Sequence, residues 1–329
     1  MMVPRILRQY RNELGHGLAA TLKGNSHLRL AMRYHVGLCD RYGNDTEALG
    51  KMLRPSLLLF TVSQLGIDHM QGLPAAIGLE LVHNFSLIHD DIQDRDEMRR
   101  GRPAVWRIWG VAQAINAGDL MYAAAVHEAL RSGSPAAGAI VEAATAMIEG
   151  QGLDLDFEHR WVDTESYFNM IDKKTGALIS CAFLAGGILA GADAEVVGLL
   201  TKVGHELGRA FQIRDDILGV WGDGKVTGKP QGSDIRRKKK ALPAILAMQC
   251  GDDGQRRFLN HAYAQDEIKN GDVAQVVDLM SRLDVREMAE EMAQAHLEKA
   301  ADHLDRLPFS EEGNEMMQEL IAYLARREK

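Results

Sequence analysis

Cysteine, aromatic residues, strand signals and long apolar runs are all scarce in this chain, and each shortage removes a class of protein. Cys39, Cys181 and Cys250 are the only cysteines in 329 residues; odd in number, scattered and without a CxxC pair, they exclude a disulfide framework or thiolate metal site and point to buried thiols in a reducing compartment. Aromatics make up 6%, and β-branched alternation bounded by turn residues is nearly absent, which argues against a sheet protein. Of the eight prolines, Pro55, Pro74, Pro103, Pro135 and Pro243 stand where the first turn of a helix would begin. The longest apolar run, Ala177–Ala192, is glycine-rich, stopped by Asp193 and short of the ~20 residues a bilayer span needs. Met1–Arg5 lacks the apolar core of a secretory leader. The expectation is therefore a cytoplasmic protein without a membrane span. A net charge of −8 argues against general nucleic-acid binding. No Ser/Pro/Gly linker or low-complexity tract divides the chain, so residues 1–329 are expected to form one domain.

What remains is a Met-, Ala- and Leu-rich texture, 46% hydrophobic, suited to a large all-α protein. Two aspartate pairs interrupt it: Asp90-Asp91 with Asp94 behind them, and Asp215-Asp216. On a helix Asp90 and Asp94 share a face one turn apart, so both carboxylates can reach one ion, and Asp215 could close the site from a second helix. Crowded carboxylates repel one another. Hard cations that accept oxygen ligands and keep several waters relieve that repulsion, which favours Mg²⁺ over Zn²⁺. An aspartate pair on a helix is ordinarily a solvated face, but Leu79–Ile88 upstream of the first pair is too apolar for a surface helix, and Ala210–Arg214 precedes the second in the same way. Ile88-His89-Asp90-Asp91-Ile92 and Ile213-Arg214-Asp215-Asp216-Ile217 echo each other, as two facing helices of rough internal symmetry would. Met288–Met292 and Met316–Leu324 show amphipathic spacing and read as packing helices.

Basic residues cluster near these acids. Gly50-Lys51-Met52-Leu53-Arg54-Pro55 is expected to place Lys51 and Arg54 one helical turn apart, able to grip an anion. Arg99-Arg100-Gly101-Arg102 follows the first acidic motif closely. Lys173-Lys174-Thr175 is expected to start the glycine-rich helix, where free amides and the helix dipole favour anions. Gly228–Asp234 and the run Arg236–Lys240 follow the second pair. Acids that hold metal, set beside this much positive charge, suit two diphosphate groups: one chelated through metal, the other held by side chains alone. His83, two turns before Asp90, is a candidate ligand contact, and His89 reads as structural.

With these motifs in order, the chain resembles the all-trans polyprenyl diphosphate synthases, the class I isoprenyl diphosphate synthase family. GKxxRP, the His-to-DDxxD segment followed by RRG, the KT pair, FQxxDD and GKPxGSD all occur between Gly50 and Lys240. The resemblance implies a single antiparallel helical bundle around a deep cavity, the isoprenoid synthase class I fold, and a homodimer. It implies that Asp90, Asp94 and Asp215 ligate three Mg²⁺, with Asp91 and Asp216 supporting them. Arg99, Lys174, Thr175, Gln212, Lys229 and Lys239 would hold the allylic diphosphate, with Lys174, Gln212 and Lys229 assisting its departure. Lys51, Arg54, His83 and Arg100 would bind isopentenyl diphosphate. The glycine-rich segment from Gly222 to Ser233 is the candidate lid.

One departure stands out. The fifth position of the second motif, usually aspartate, is Gly219, and Asp223 is the candidate to compensate. Product length in such enzymes depends largely on the residues four and five places before the first aspartate, here Ser86 and Phe85; one bulky and one small residue resemble geranylgeranyl (C20) synthases more than farnesyl (C15) ones, with C25 the other alternative. Two rivals differ in kind. A class I terpene cyclase also carries DDxxD but binds no second diphosphate and has no use for GKxxRP, whereas a non-catalytic regulatory subunit would more readily have lost a metal-ligating aspartate or Arg99/Arg100.

Overall fold

The computed structural model describes residues 3–222 and 231–325. Helices α1 (Arg5–Gln9), α2 (Arg11–Thr21), α3 (His27–Val36), α4 (Leu53–Gln64), α5 (Leu73–Gln93), α6 (Val105–Trp109) and α7 (Val111–Leu130) lead to α8 (Ser134–Phe157), α9 (Thr164–Ile171), α10 (Ala177–Leu189) and α11 (Ala194–Trp221). A short helix, Ser233–Arg236, and the helices Leu242–Cys250, Asp253–Ala264, Asn270–Arg282, Val285–Leu304 and Glu311–Ala325 follow. Among the described residues the only sheet is a two-stranded hairpin, β1 (Met98–Arg99) against β2 (Arg102–Pro103). Pro55, Pro74, Pro135 and Pro243 do fall in first helical turns, whereas Pro103 lies in β2, a two-residue edge strand where a missing N–H costs no ladder bond. None of the described helices is long and apolar enough to cross a membrane. All three cysteines are free, and Cys250 is exposed rather than buried, since it ends its helix facing out.

The chain divides into two compact units, each drawn from separate stretches of sequence. The first comprises Met1–Thr145, Leu178–Lys202 and Leu304–Glu319. Its centre is α5, in which Leu79, Leu81, Val82, Phe85 and Ile88 are all buried, the all-round apolar character of a core helix rather than a surface one. Helix α7 packs on it through small residues, with Ala114, Ala117, Gly118, Ala125 and Ala129 buried. A Cβ added at Gly78 would stand 2.9 Å from the Ala125 carbonyl oxygen, so glycine there lets the two backbones approach.

The second unit comprises Ala146–Ala177, Val203–His303 and Leu320–Lys329. Leu242, Ile245 and Leu246 pack with Ile213, Ile217, Val220, Tyr167 and Met170 in its core. A five-residue π turn, Asp172–Gly176, continues α9 without a break. It lies tightly against its neighbours: a Cβ at Gly150 would come within 2.3 Å of the Lys174 nitrogen, and one at Gly208 within 2.8 Å of the Gly176 Cα. Arg209 clamps the turn by donating to both Asp172 oxygens, at 2.7 and 2.6 Å.

Candidate active site

The first unit gathers the first acidic motif and the nearby arginines. Asp90 is half-buried, Asp91 buried and Asp94 exposed. Asp94 caps α5, its amide bonded to the Asp90 carbonyl at 2.8 Å, so the two carboxylates stay one turn apart. This is the C-terminal end of a helix, where the macrodipole is negative, and no basic residue in the last turn offsets it. Three carboxylates in so unfavourable a field fit a place made for cations. One oxygen of Asp91, Oδ2, is buried without a hydrogen-bond partner, while Oδ1 accepts from Arg99 Nε at 2.8 Å and Nη2 at 2.5 Å. Burial pushes the Asp91 carboxyl upward against those bonds to Arg99. No group of three or more His, Cys, Asp or Glu suited to a metal converges among the described residues. Two accessible carboxylates with retained waters match the sparse hold Mg²⁺ accepts.

The Arg-Arg-Gly-Arg segment is the β1–β2 hairpin, with Arg99 paired to Arg102 and the turn residues Arg100 and Gly101 at φ +53° and +73°. Positive φ at both central positions is the type I′ arrangement, which matches strand twist in a two-residue loop. Adjacent arginines therefore part: Arg99 turns to Asp91, and Arg100 sits at the tip beside Gly50, where an added Cβ would be 3.0 Å from its Cζ. Lys51 and Arg54 do not share a helical turn as the spacing suggested. Met52 adopts left-handed φ of +51° and α4 begins at Leu53, so Lys51 lies outside the helix. His83 is held neutral, its pKa pushed well below the ordinary histidine value by burial and then by Arg54, Arg100 and Arg99. His35 is depressed likewise by burial and by Arg100, Arg99 and Arg102, and its Nε2 is buried without a partner. Sequence reasoning passed over His35, which carries no motif.

Phe85 is buried and packs on Tyr122 with ring centroids 4.9 Å apart, while Ser86 Oγ donates to the His83 carbonyl at 2.8 Å. His89 lies against Gly118, where a Cβ would meet its Nε2 at 2.2 Å.

The second unit repeats the pattern of one outward and one inward aspartate. Asp215 is exposed and Asp216 is buried. Asp216 accepts from Tyr167 Oη at 2.7 Å, Gln212 Nε2 at 2.8 Å, the Leu242 amide at 3.0 Å and Lys239 Nζ at 3.5 Å. Thr175 Oγ1 donates to Gln212 Oε1 at 2.7 Å, so Thr175 and Gln212 are oriented by each other and by Asp216. Lys174 pairs with Asp154. Against burial, Lys174 and Lys239 hold the Asp154 carboxyl below its usual value, and against burial, Asp216, Asp234, Asp154 and Asp215 hold Lys239 well above its own. Because the π turn continues α9, Lys173, Lys174 and Thr175 offer no free helix N-terminus, contrary to expectation; the Lys173 ammonium pairs with Glu149 as that of Lys174 does with Asp154. Neither Asp154 nor Tyr167 belongs to a recognisable motif. Lys229, Asp223 and most of the Gly222–Ser233 segment lie outside the described residues.

Gly219 has a steric explanation. A Cβ at that position would fall 2.1 Å from Asp234 Oδ2 and 2.3 Å from its Cγ, so the Asp234 carboxylate already fills the space a side chain would need. Ser233 Oγ ties the two segments, donating to Gly219 O at 3.2 Å and lying 3.3 Å from Asp234 Oδ1. Gly219→Ala should therefore cost roughly 1–3 kcal/mol through overpacking. Urea unfolding reads this directly, and an unchanged midpoint would mean that Asp234 moves aside freely.

Comparison with known proteins gives a concordant picture. The family model described as Polyprenyl synthetase matches residues 39–280. A (2E,6E)-farnesyl diphosphate synthase of Mycobacterium tuberculosis is 37% identical over 92% of this chain and 87% of its own. A geranylfarnesyl diphosphate synthase of Aeropyrum pernix is 40% identical over 86% of this chain and 92% of its own. The crystal structure of a geranylgeranyl pyrophosphate synthetase from Pyrococcus horikoshii superposes with a TM-score of 0.87 at 32% identity, covering 98% of both chains.

Proposed function

The chain belongs to the polyprenyl synthetase family, a short-chain prenyl diphosphate synthase, and from that premise we propose that it condenses isopentenyl diphosphate with an allylic diphosphate to give geranylgeranyl diphosphate. Asp90, Asp94 and Asp215 hold three Mg²⁺ through hard carboxylate oxygens. Bound there, the ions supply electrostatic stabilisation for the charge that gathers on the allylic diphosphate as its C–O bond breaks. Asp91 and Asp216 support the ligands. Arg99, Lys174, Thr175, Gln212, Lys229 and Lys239 bind the allylic diphosphate, Lys174, Gln212 and Lys229 easing its departure. Lys51, Arg54, His83 and Arg100 bind isopentenyl diphosphate without metal. Its double bond attacks the allylic cation, and a proton then leaves the new carbon skeleton with the departed diphosphate as base. Exclusion of water protects the cation. Asp234, standing where a side chain at 219 would be, serves as the second acid of the second motif. The two units act as one catalytic domain, in a cytoplasmic homodimer.

The observation that carries this reading is the arrangement around α5: the Arg100 guanidinium lies against Gly50 of the Gly-Lys-Met-Leu-Arg-Pro segment and 3.4 Å from Asn84 Oδ1 of α5, beside a helix end whose accessible carboxylates suit a cation. A terpene cyclase would need the second feature without the first. Incubation with one allylic diphosphate and Mg²⁺ separates them, since a cyclase consumes it alone and this chain should turn over only when isopentenyl diphosphate is added. The C20 product rests on Phe85, buried against Tyr122. Phe85→Ala should shift the products to C25 or longer, and an unchanged chain-length distribution would remove Phe85 as the limit.

A further inference from the structure

Glu80 is 4% exposed and Asn84 wholly buried, on the face of α5 that runs beneath the hairpin, and no motif or role accounts for either. A buried carboxylate is costly unless it is paired and hydrogen-bonded. Both hydrogens of the Asn84 amide go to Glu80, one to Oε1 at 2.8 Å and one to its carbonyl at 2.8 Å. With both donors spent, only Oδ1 remains to face outward, and Arg100 Nη2 lies 3.4 Å from it. A flipped amide would set NH₂ against a guanidinium. Glu80 thus dictates which end of Asn84 Arg100 meets. Arg100 needs such an anchor, because its left-handed φ of +53° is a conformation costing about 1 kcal/mol for a non-glycine residue. The carboxylate also feels the charges of Arg100 and Arg54, which pull it down while burial pushes it up. Negative charge beneath two arginines weakens their pull on an anion, so electrostatic attraction does not explain it, but geometry does.

We propose that Glu80, acting through Asn84, is a positioning residue that holds the Arg100 guanidinium in register for the diphosphate of the non-allylic substrate. Glu80 touches no substrate itself. The inference rests on the assignment of Arg54 and Arg100 to isopentenyl diphosphate. It predicts a split that a general packing role would not give, because only one of the two substrates is held by these arginines.

The test is the KM of the full-length enzyme for each substrate separately, with a thermal melt of every variant. Glu80→Gln keeps the shape but puts a donor where the carboxylate could only accept, so the Asn84 amide is no longer fixed one way round; it should raise the KM for isopentenyl diphosphate roughly tenfold, the weight of the hydrogen bond that charged Arg100 makes to Asn84, and leave the KM for the allylic substrate within about twofold. Asn84→Ala, which removes the relay, should do the same. In an Arg100→Ala background Glu80→Gln should add little, since its effect passes through Arg100. An unchanged KM for isopentenyl diphosphate overturns the proposal, and so does a parallel rise of both KM values with a falling melting temperature. Failure of both single variants to fold would mark the pair as structural only and overturn it too. A wild-type enzyme that ignores isopentenyl diphosphate would instead sink the functional reading on which this one stands.

Discussion

Asp90→Ala should abolish chain elongation while leaving the protein folded. The side chain is half-buried at the C-terminal end of α5, in the adverse field of the helix dipole, so removing its charge relieves that repulsion and offsets the loss of its attraction to Arg99. On the proposed assignment the loss would fall on transition-state stabilisation, since fewer metal charges would face the departing diphosphate. A metal-held, preorganised charge of this kind is worth roughly 10³-fold or more in turnover. Steady-state elongation beside a melting curve checks both halves. Near-normal turnover would remove Asp90 from the ligand set, and a collapsed melting temperature would make the loss uninformative about chemistry.

Asp216→Ala should act in the opposite way, through stability first. Its carboxylate gathers Tyr167, Gln212, Lys239 and the first amide of the helix Leu242–Cys250, and truncation leaves each of them without its shared acceptor. Breaking a buried, hydrogen-bonded charge site costs roughly 3–5 kcal/mol. Urea denaturation should show that loss, whereas Asp215→Ala, one residue earlier but exposed, should stay within about 0.5 kcal/mol of the parent and lose elongation instead. Equal stability of the two variants would show that the Asp216 hub holds nothing.

That contrast marks what the sequence can reveal. Within each aspartate pair the family resemblance implies direct metal contact for the first residue and support for the second; in the structure the first is half-buried or exposed and the second is buried against hydrogen-bond partners. The all-α class was legible because near-continuous apolar segments with helix-initiating prolines admit few alternatives, and the isoprenoid synthase fold through the resemblance carried by the motifs between Gly50 and Lys240. Backbone conformation was not. Nothing in Gly-Lys-Met-Leu-Arg-Pro announces that Met52 turns left-handed and ejects Lys51 from the helix, and the π turn that carries Lys174 and Thr175 depends on the close approach of Gly150 and Gly208 from elsewhere in the chain. Long-range partners were equally hidden. Tyr167 and Asp154 meet Asp216 and Lys174 across large separations in sequence. Nor does any linear motif record that the carboxylate of Asp234 fills the space a side chain at Gly219 would need.

Incorporation of radiolabelled isopentenyl diphosphate by the purified chain, with Mg²⁺ and C5, C10 or C15 allylic diphosphates in turn, tests the central claim most directly. Label should enter a prenyl diphosphate only when primer, metal and isopentenyl diphosphate are all present, with C20 as the longest major product. Absence of label with every primer, from a protein that is folded and metal-replete, would contradict the account.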